Sequence, residues 1–163
     1  LVVDSNNPKY DSRDNCNAII ETASNKLVVG CNNTMIPKDV TSIGKEAFYG
    51  CRGLKAITIP SNVKSIEERA FYCCGSLTSL TFANGVERIG QSAFEKCINL
   101  TSIIIPDSVT RIDNWAFNYC PKLNYLELPK DLQVSTGSII NCYNIKIVLR
   151  EDSKKHRGLF KWK

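Results

Sequence analysis

Apolar residues recur along this chain every 23 residues, and four copies keep the step without a gap. Each copy follows the pattern I-P-x-x-V-x-x-I-x-x-x-A-F-x-x-C-x-x-L-x-x-I-x. The most regular columns are Val40, Val63, Val86 and Val109; Ile43, Ile66, Ile89 and Ile112; Phe48, Phe71, Phe94 and Phe117; and Leu54, Leu77, Leu100 and Leu123. A period of roughly 20–50 residues indicates stacked units that share one core.

Each copy predicts the same short elements. The spacing L-x-x-I-x-I is that of a short strand that turns Leu54, Ile57 and Ile59 inward, and residues 63–66 read as a second extended piece. Residues 67–74 have room for about two helical turns, or for a looser helical turn. A unit this short cannot bury its own apolar side, whereas stacked units can. We therefore expect a right-handed solenoid with a parallel sheet on one face and a column of phenylalanines in the core.

The fifth copy is degenerate. Five of its apolar residues sit one place early, which a single deletion between Leu132 and Val134 explains: Val134, Ile139, Cys142, Ile145 and Val148. Terminal repeats of a stack are expected to be atypical, because one side has no neighbouring unit. On this alignment Val148 occupies an inward position of the last strand.

Five of the eight cysteines form another column, namely Cys51, Cys74, Cys97, Cys120 and Cys142. Reduced, buried thiols are the expected state, because free cysteine packs as a small hydrophobic residue. A 23-residue spacing does not suit zinc, so we predict no metal or cofactor. Cys73 lies outside the column, and a disulfide to Cys74 would be strained. Pairing Ile20 with Val29 in a hairpin leaves two alternatives for Cys16 and Cys31, a disulfide or two buried thiols.

The sequence "IPSNVKSIEERAFYCCGSLTSL" and its copies resemble the BspA-like leucine-rich repeat family of bacterial surface proteins. The leader "NNPKYDSRDNCNAIIETASNKLVVGC" is similar to the family's hairpin insert, and the end "VLREDSKKHRGLFKWK" to its closing segment. The resemblance implies a leucine-rich-repeat solenoid, α/β-type or mainly β, with an N-terminal β-hairpin. It divides one continuous domain into a partial repeat end with the hairpin (1–35), five repeats (36–150) and a cap (151–163). It also implies an extracellular or cell-surface location and a protein partner, such as a host matrix or plasma protein.

Charge and composition narrow the function classes. The net charge of +5 is concentrated in the last 14 residues, and a neutral body is a poor nucleic-acid surface. No apolar run approaches the length of a membrane helix. His156 is the only histidine and lies in the basic tail, so no nucleophile–histidine pair is expected. We predict a protein that is not an enzyme.

The basic tail has two interpretations: a lid over the last repeat, or a tether to anionic surfaces.

The outward strand positions are the candidate binding site. They are small in the early copies and change in the later ones, where Tyr125, Glu127 and Ile104 replace Ser and Thr. Tyrosine is enriched at protein interfaces, so we predict a partner site there, with Asn124 and Thr81 at its margin. Other locations are the hairpin or the face with Arg88, Arg111 and Trp115. The rival functions are a structural spacer and, less favoured, a thiol enzyme, which would need a reactive, solvent-open cysteine.

Overall fold

A computed structural model describes residues 1–135 and 137–150 of the 163-residue chain. It is a β-solenoid with an N-terminal hairpin. The hairpin strands are β1 (Tyr10–Asp11), β2 (Ile19–Glu21) and β3 (Lys26–Val29). The repeats contribute β4 (Ser42–Ile43), β5 (Ala56–Ile59), β6 (Ser65–Ile66), β7 (Ser79–Phe82), β8 (Arg88–Ile89), β9 (Ser102–Ile104), β10 (Arg111–Ile112), β11 (Tyr125–Pro129), β12 (Gln133–Val134) and β13 (Lys146–Arg150).

Two sides of the solenoid carry parallel strands. One side is an eight-stranded sheet in which the hairpin leads into the short strands β4, β6, β8, β10 and β12. The other side carries the longer strands, which form a two-stranded sheet, β5–β7, and a three-stranded sheet, β9–β11–β13. Strands of neighbouring copies pair at the 23-residue step, as in Ile57 with Leu80 and Ile66 with Ile89. The predicted solenoid is confirmed, but parallel strands lie on two of its sides and not on one.

The third side of each repeat is a run of turns. Alternate amides bond within the repeat and across to the next one: Ala70 N–H donates to Glu67, Phe71 N–H to Ala93, and Tyr72 N–H to Arg69. Of the two predicted forms, the looser one is therefore present. The described residues contain no α-helix and one 3₁₀ turn, at Arg13–Asn15.

Left-handed backbone conformations explain why these turns do not continue into a helix. Each repeat places residues with positive φ at two fixed positions: Glu46, Arg69, Ser92 and Trp115, and Gly50, Cys73, Lys96, Tyr119 and Asn141. A left-handed residue ends a right-handed helical turn, because its amide then points along a different direction. These amides donate to the following repeat instead, as Cys73 N–H does to Glu95 at 2.9 Å. The column of Cys73 therefore selects for backbone conformation and not for sulfur.

The phenylalanine column lies in the core as predicted. Phe48, Phe71, Phe94 and Phe117 are fully buried, and their rings stack with centroid distances of 4.7, 5.0 and 5.4 Å. The hairpin covers the first ring, because a Cβ on Gly30 would lie 2.1 Å from Phe48. Only glycine lets the ring pack directly on this backbone.

The hairpin register differs from the prediction by one residue. Ile19, and not Ile20, pairs with Val29, and Ile20 pairs with Leu27 across an irregularity in the ladder. Cys16 and Cys31 are free thiols that donate to different carbonyls, of Ala18 and Asn17 respectively. Cys16 is buried and Cys31 is half-buried. Of the two alternatives left open, the disulfide is therefore absent.

The last strand also shifts. The segment after Cys142 is one residue shorter than the corresponding loop after Cys120, and Asn144 adopts a left-handed conformation there. As a result Leu126 pairs with Ile147, and Val148 pairs with Glu127 on the outward row. The predicted inward position of Val148 was therefore wrong. The predicted cap, 151–163, lies outside the described residues, and its role stays a prediction.

A pair of glycine substitutions tests the left-handed turn position. Gly50 has φ 68° and open space where a Cβ would lie, whereas Gly75 has no positive φ and would place its Cβ 3.7 Å from Ile98. We expect Gly50→Ala to lower the free energy of unfolding by about 1 kcal/mol from backbone strain alone. Gly75→Ala should raise it by about 0.4–1 kcal/mol through the unfolded state. Denaturant unfolding of both variants gives the comparison, and a shift of the same sign in both contradicts the explanation.

Candidate functional site

The outward rows of the longer strands form the candidate binding site. Strand pairing places Tyr125 beside Ser102 and Lys146, and Glu127 beside Ile104 and Val148. Period-2 alternation turns the same side of every strand outward, so these residues share one face. The three central predicted residues, Ile104, Tyr125 and Glu127, are thus brought together on neighbouring strands. Ile104 is 55% exposed, which is unusual for a large aliphatic side chain on a sheet.

Tyr125 and Glu127 are joined by a hydrogen-bond network that the sequence reasoning missed. The Tyr125 hydroxyl donates to Glu127 Oε2 at 2.9 Å, and this bond raises the pKa of Tyr125. The guanidinium of Arg150 lies 3.3 Å from the other oxygen of Glu127 and 3.0 Å from Asp107. It also donates to the carbonyl of Ile105. Arg150 lies in the degenerate fifth copy, where the 23-residue spacing no longer fixes the position of a side chain, so its place against the sheet could not be anticipated.

The marginal residues lie where the prediction put them. Thr81 is exposed on β7, 23 residues before Ile104, and Asn124 is exposed immediately before β11. The carbonyl of Asn124 accepts a hydrogen bond from Lys146 N–H at 2.8 Å, so its backbone belongs to the ladder. Lys146 and Val148 enlarge the face because of the register shift in β13. We refer to Ile104, Tyr125, Glu127, Lys146 and Val148 as the sheet patch.

Comparison with known proteins identifies the repeat. The family model "BspA type Leucine rich repeat region" matches residues 21–146 in six copies. The chain belongs to the BspA-type leucine-rich repeat family. The fold and the family of this chain are those of repeat modules, which are generally non-enzymatic. No curated protein sequence matches the chain significantly.

Solved structures of leucine-rich repeat proteins resemble the chain in fold. A leucine-rich cell-surface protein of Faecalibacterium prausnitzii is 26% identical with a TM-score of 0.82, over 94% of this chain and 42% of that one. A leucine-rich repeat protein of Bacteroides ovatus is 31% identical with a TM-score of 0.54, over 69% of this chain and 36% of that one. The pneumococcal vaccine antigen PcpA shares the fold at 19% identity and a TM-score of 0.74, over 92% and 39%. The chain thus spans less than half the length of each of these proteins.

The cysteine column of this BspA-type array is a structural device. Four of its five thiols donate to the carbonyl of the phenylalanine one repeat earlier, with Sγ–O distances of 3.1 Å for Cys74 to Phe48 and 3.3 Å for Cys97 to Phe71. Cys120 and Cys142 repeat the contact with Phe94 and Phe117. Cys51, the first of the column, donates to the Gly30 carbonyl instead. All eight cysteines are free. The prediction that the whole column is buried was wrong at its two ends, where Cys51 and Cys142 are only half-buried.

Burial makes the inner thiols of the column poor nucleophiles. It raises the pKa of Cys74 to about 12 and that of Cys97 well above its usual value. Contact with Cys142 and burial raise the pKa of Cys120, and the same contact lowers the pKa of Cys142 to about 7. Cys142 is therefore the thiol of the column most ready to react. Within the described residues it has no histidine to act as a general base.

Thiol labelling tests this division. In the native protein at neutral pH, we expect an alkylating reagent to leave Cys16, Cys74, Cys97 and Cys120 unmodified, because they are buried. Cys142 should react first in the column, and the four protected thiols should react only after unfolding. Peptide mass spectrometry of native and denatured samples gives the pattern. Rapid native modification of two or more of the protected four contradicts it.

Proposed function

We propose that the chain is a non-enzymatic module of a surface or secreted bacterial protein that binds a protein partner through the sheet patch. Membership in the BspA-type family and the likeness to a leucine-rich cell-surface protein support this function. The described residues include no helix that could cross a membrane. A host extracellular matrix or plasma protein is the proposed class of partner, because the repeat resembles those of bacterial surface proteins.

The single observation that carries the proposal is the composition of the sheet patch. Its predecessors on the same face are Ala56, Thr58, Ser79 and Thr81, whereas the patch combines an exposed isoleucine, a tyrosine, a valine and two charged residues. Interface hot spots are enriched in tyrosine and arginine and surrounded by contacts that add little energy but exclude water. Along the array, the outward face therefore changes from small side chains to the larger aromatic, aliphatic and charged side chains that are typical of protein interfaces.

The network around Tyr125 further supports a binding role. Its hydrogen bond to Glu127, and the ion pair of Arg150 with Glu127, hold three side chains in place before any partner arrives. A partner that meets ordered side chains loses less conformational entropy on binding. Lys146 and Arg150 beside Glu127 and Asp107 leave the patch close to electrically neutral, which suits a mixed protein surface better than a polyanion.

Two rival functions make different predictions. A structural spacer would show no saturable binding by this fragment. A thiol enzyme would need Cys142 to act on a substrate. Among the residues that the structure describes, the half-buried Cys142 contacts the carbonyls of Phe117 and Ile140 and the thiol of Cys120, which offer no general base. We favour binding over both, because the spacer does not explain the change in the outward rows.

The test begins with a pull-down of matrix and plasma proteins on the folded chain and continues with variants. Tyr125→Ala should weaken binding to the captured partner by about 1–3 kcal/mol, because tyrosine anchors carry interface energy. Its melting temperature should change little, since the side chain lies on the outward face. Ser79→Ala, at the equivalent outward position two copies earlier, is the matched control and should bind like the parent. Titration calorimetry and thermal melting give the two readouts.

Phe94→Ala separates loss of binding from loss of fold. Its ring stacks between Phe71 and Phe117, so the substitution should cost about 3–5 kcal/mol of stability whatever the partner. If Tyr125→Ala destabilises the protein to a similar extent, the Tyr125 side chain packs in the hydrophobic core and the patch is misassigned. If Tyr125→Ala binds as tightly as the parent, the partner uses another face.

A further inference from the structure

A polar groove of about 470 Å³ lies on the side of the solenoid that carries the short strands, away from the sheet patch. Arg88 of β8 and Arg111 of β10 flank it, and they are direct register neighbours on adjacent strands. Glu67 and Glu68 of the preceding repeat also line it and form its acidic wall. Its other lining side chains are almost all polar, namely Ser65, Gln91, Asp113, Asn114 and Ser135, with Ile66 as the one large apolar residue among those named.

The two arginines share one carboxylate. Asp113 is buried, with 7% of its side chain exposed. Arg88 donates to its Oδ2 from Nε at 2.9 Å and from Nη2 at 2.6 Å, and Arg111 donates from Nε to Oδ1 at 2.5 Å. The single carboxylate of Asp113 therefore holds the two guanidinium groups side by side, and each arginine side chain is more than half exposed. Asp113 neutralises only one of the two guanidinium charges, and it uses Nε and Nη2 of Arg88 but only Nε of Arg111.

The acidic wall does not cancel this surplus, because its carboxylates have cations of their own outside the groove. Glu67 pairs with Lys26 at 2.7 Å, and Glu68 pairs with Lys45 at 3.1 Å. The charged residues that line the groove sum to −1, and the paired Lys26 and Lys45 bring the local sum to +1, so the positive charge left over lies at Arg88 and Arg111. Adjacent guanidinium groups with free N–H edges are the preferred partners of a carboxylate, which they bind in a planar, two-bond geometry.

From these contacts we infer that the groove binds a carboxylated saccharide. Its acid group would bind Arg88 and Arg111, and its hydroxyl groups would bind polar side chains that line the groove. The side-chain amides of Gln91 and Asn114 and the hydroxyls of Ser65 and Ser135 are suited to a ligand with many hydroxyl groups. An acidic protein segment fits less well, because protein anchors need apolar or aromatic pockets and Ile66 alone offers apolar surface. The inference is independent of the sheet patch and of any protein partner.

The experiment uses a galacturonic acid oligomer as the probe, with the complete chain and isothermal titration. We expect saturable binding of the free acid and little binding of the same oligomer as its methyl ester, which keeps the ring hydroxyls but removes the charge. Arg88→Gln and Arg111→Gln should each weaken binding at least about tenfold, as the loss of a charged hydrogen bond implies. Lys38→Gln removes an equal charge from an exposed site outside the groove and should leave binding unchanged.

Arg88→Lys and Arg111→Lys cover the case in which a glutamine variant melts early. They keep the charge beside Asp113 but lose the planar fork, and we expect binding weakened while the melting temperature stays near that of the parent. Equal loss in Lys38→Gln would overturn the inference as general charge attraction. Parent-like binding in all arginine variants would place the anion site elsewhere, such as on the basic tail. No binding of the acid, or equally tight binding of a glutamate peptide, would also overturn it.

Discussion

The hydrogen bonds that turn segments make to the next repeat set the geometry of the whole molecule. The N–H groups of Phe48, Phe71 and Phe94 donate at 2.7 Å to the alanine carbonyls of the following copies. These bonds hold neighbouring backbones at one strand spacing, so rings one repeat apart must stack. They also hold the thiol column beside the phenylalanine carbonyls. Stability in such an array is a sum of units and nearest-neighbour interfaces, and here the turn ladder defines that interface.

Much of this could be predicted from the sequence, because a strict period leaves little freedom. Buried columns such as those of Phe48 and Cys74 follow from spacing alone, and the strand around Ile57 follows from its local pattern. Where the period fails, so does the prediction. The shift of Val148 depends on one residue fewer after Cys142, and the Ile19–Val29 pair depends on a bulge that alternation does not reveal.

The candidate sites were less accessible to sequence reasoning, since they combine residues from different periods of the chain. Tyr125, Glu127 and Ile104 could be grouped because they occupy outward columns. Arg150 could not, because its side chain reaches back to Asp107 from beyond the last regular column. Similarly, Arg88 and Asp113 are 25 residues apart, so their ion pair crosses columns and has no periodic signature. Function in a repeat protein resides in such departures, while the period itself maintains the core.

A pair of one-residue insertions tests the dependence on the turn ladder most directly. An alanine inserted between Tyr72 and Cys73 shifts the Cys73 amide by one residue relative to its acceptor, the carbonyl of Glu95 in the next repeat. It also shifts the thiol of Cys74 relative to the carbonyl of Phe48. A glycine inserted between the exposed Pro121 and Lys122 lengthens a loop whose last-copy equivalent already varies in length. We expect the first protein to lose cooperative thermal unfolding, or to melt far below the parent, and the second to melt near it. Equal tolerance of both insertions would contradict the account.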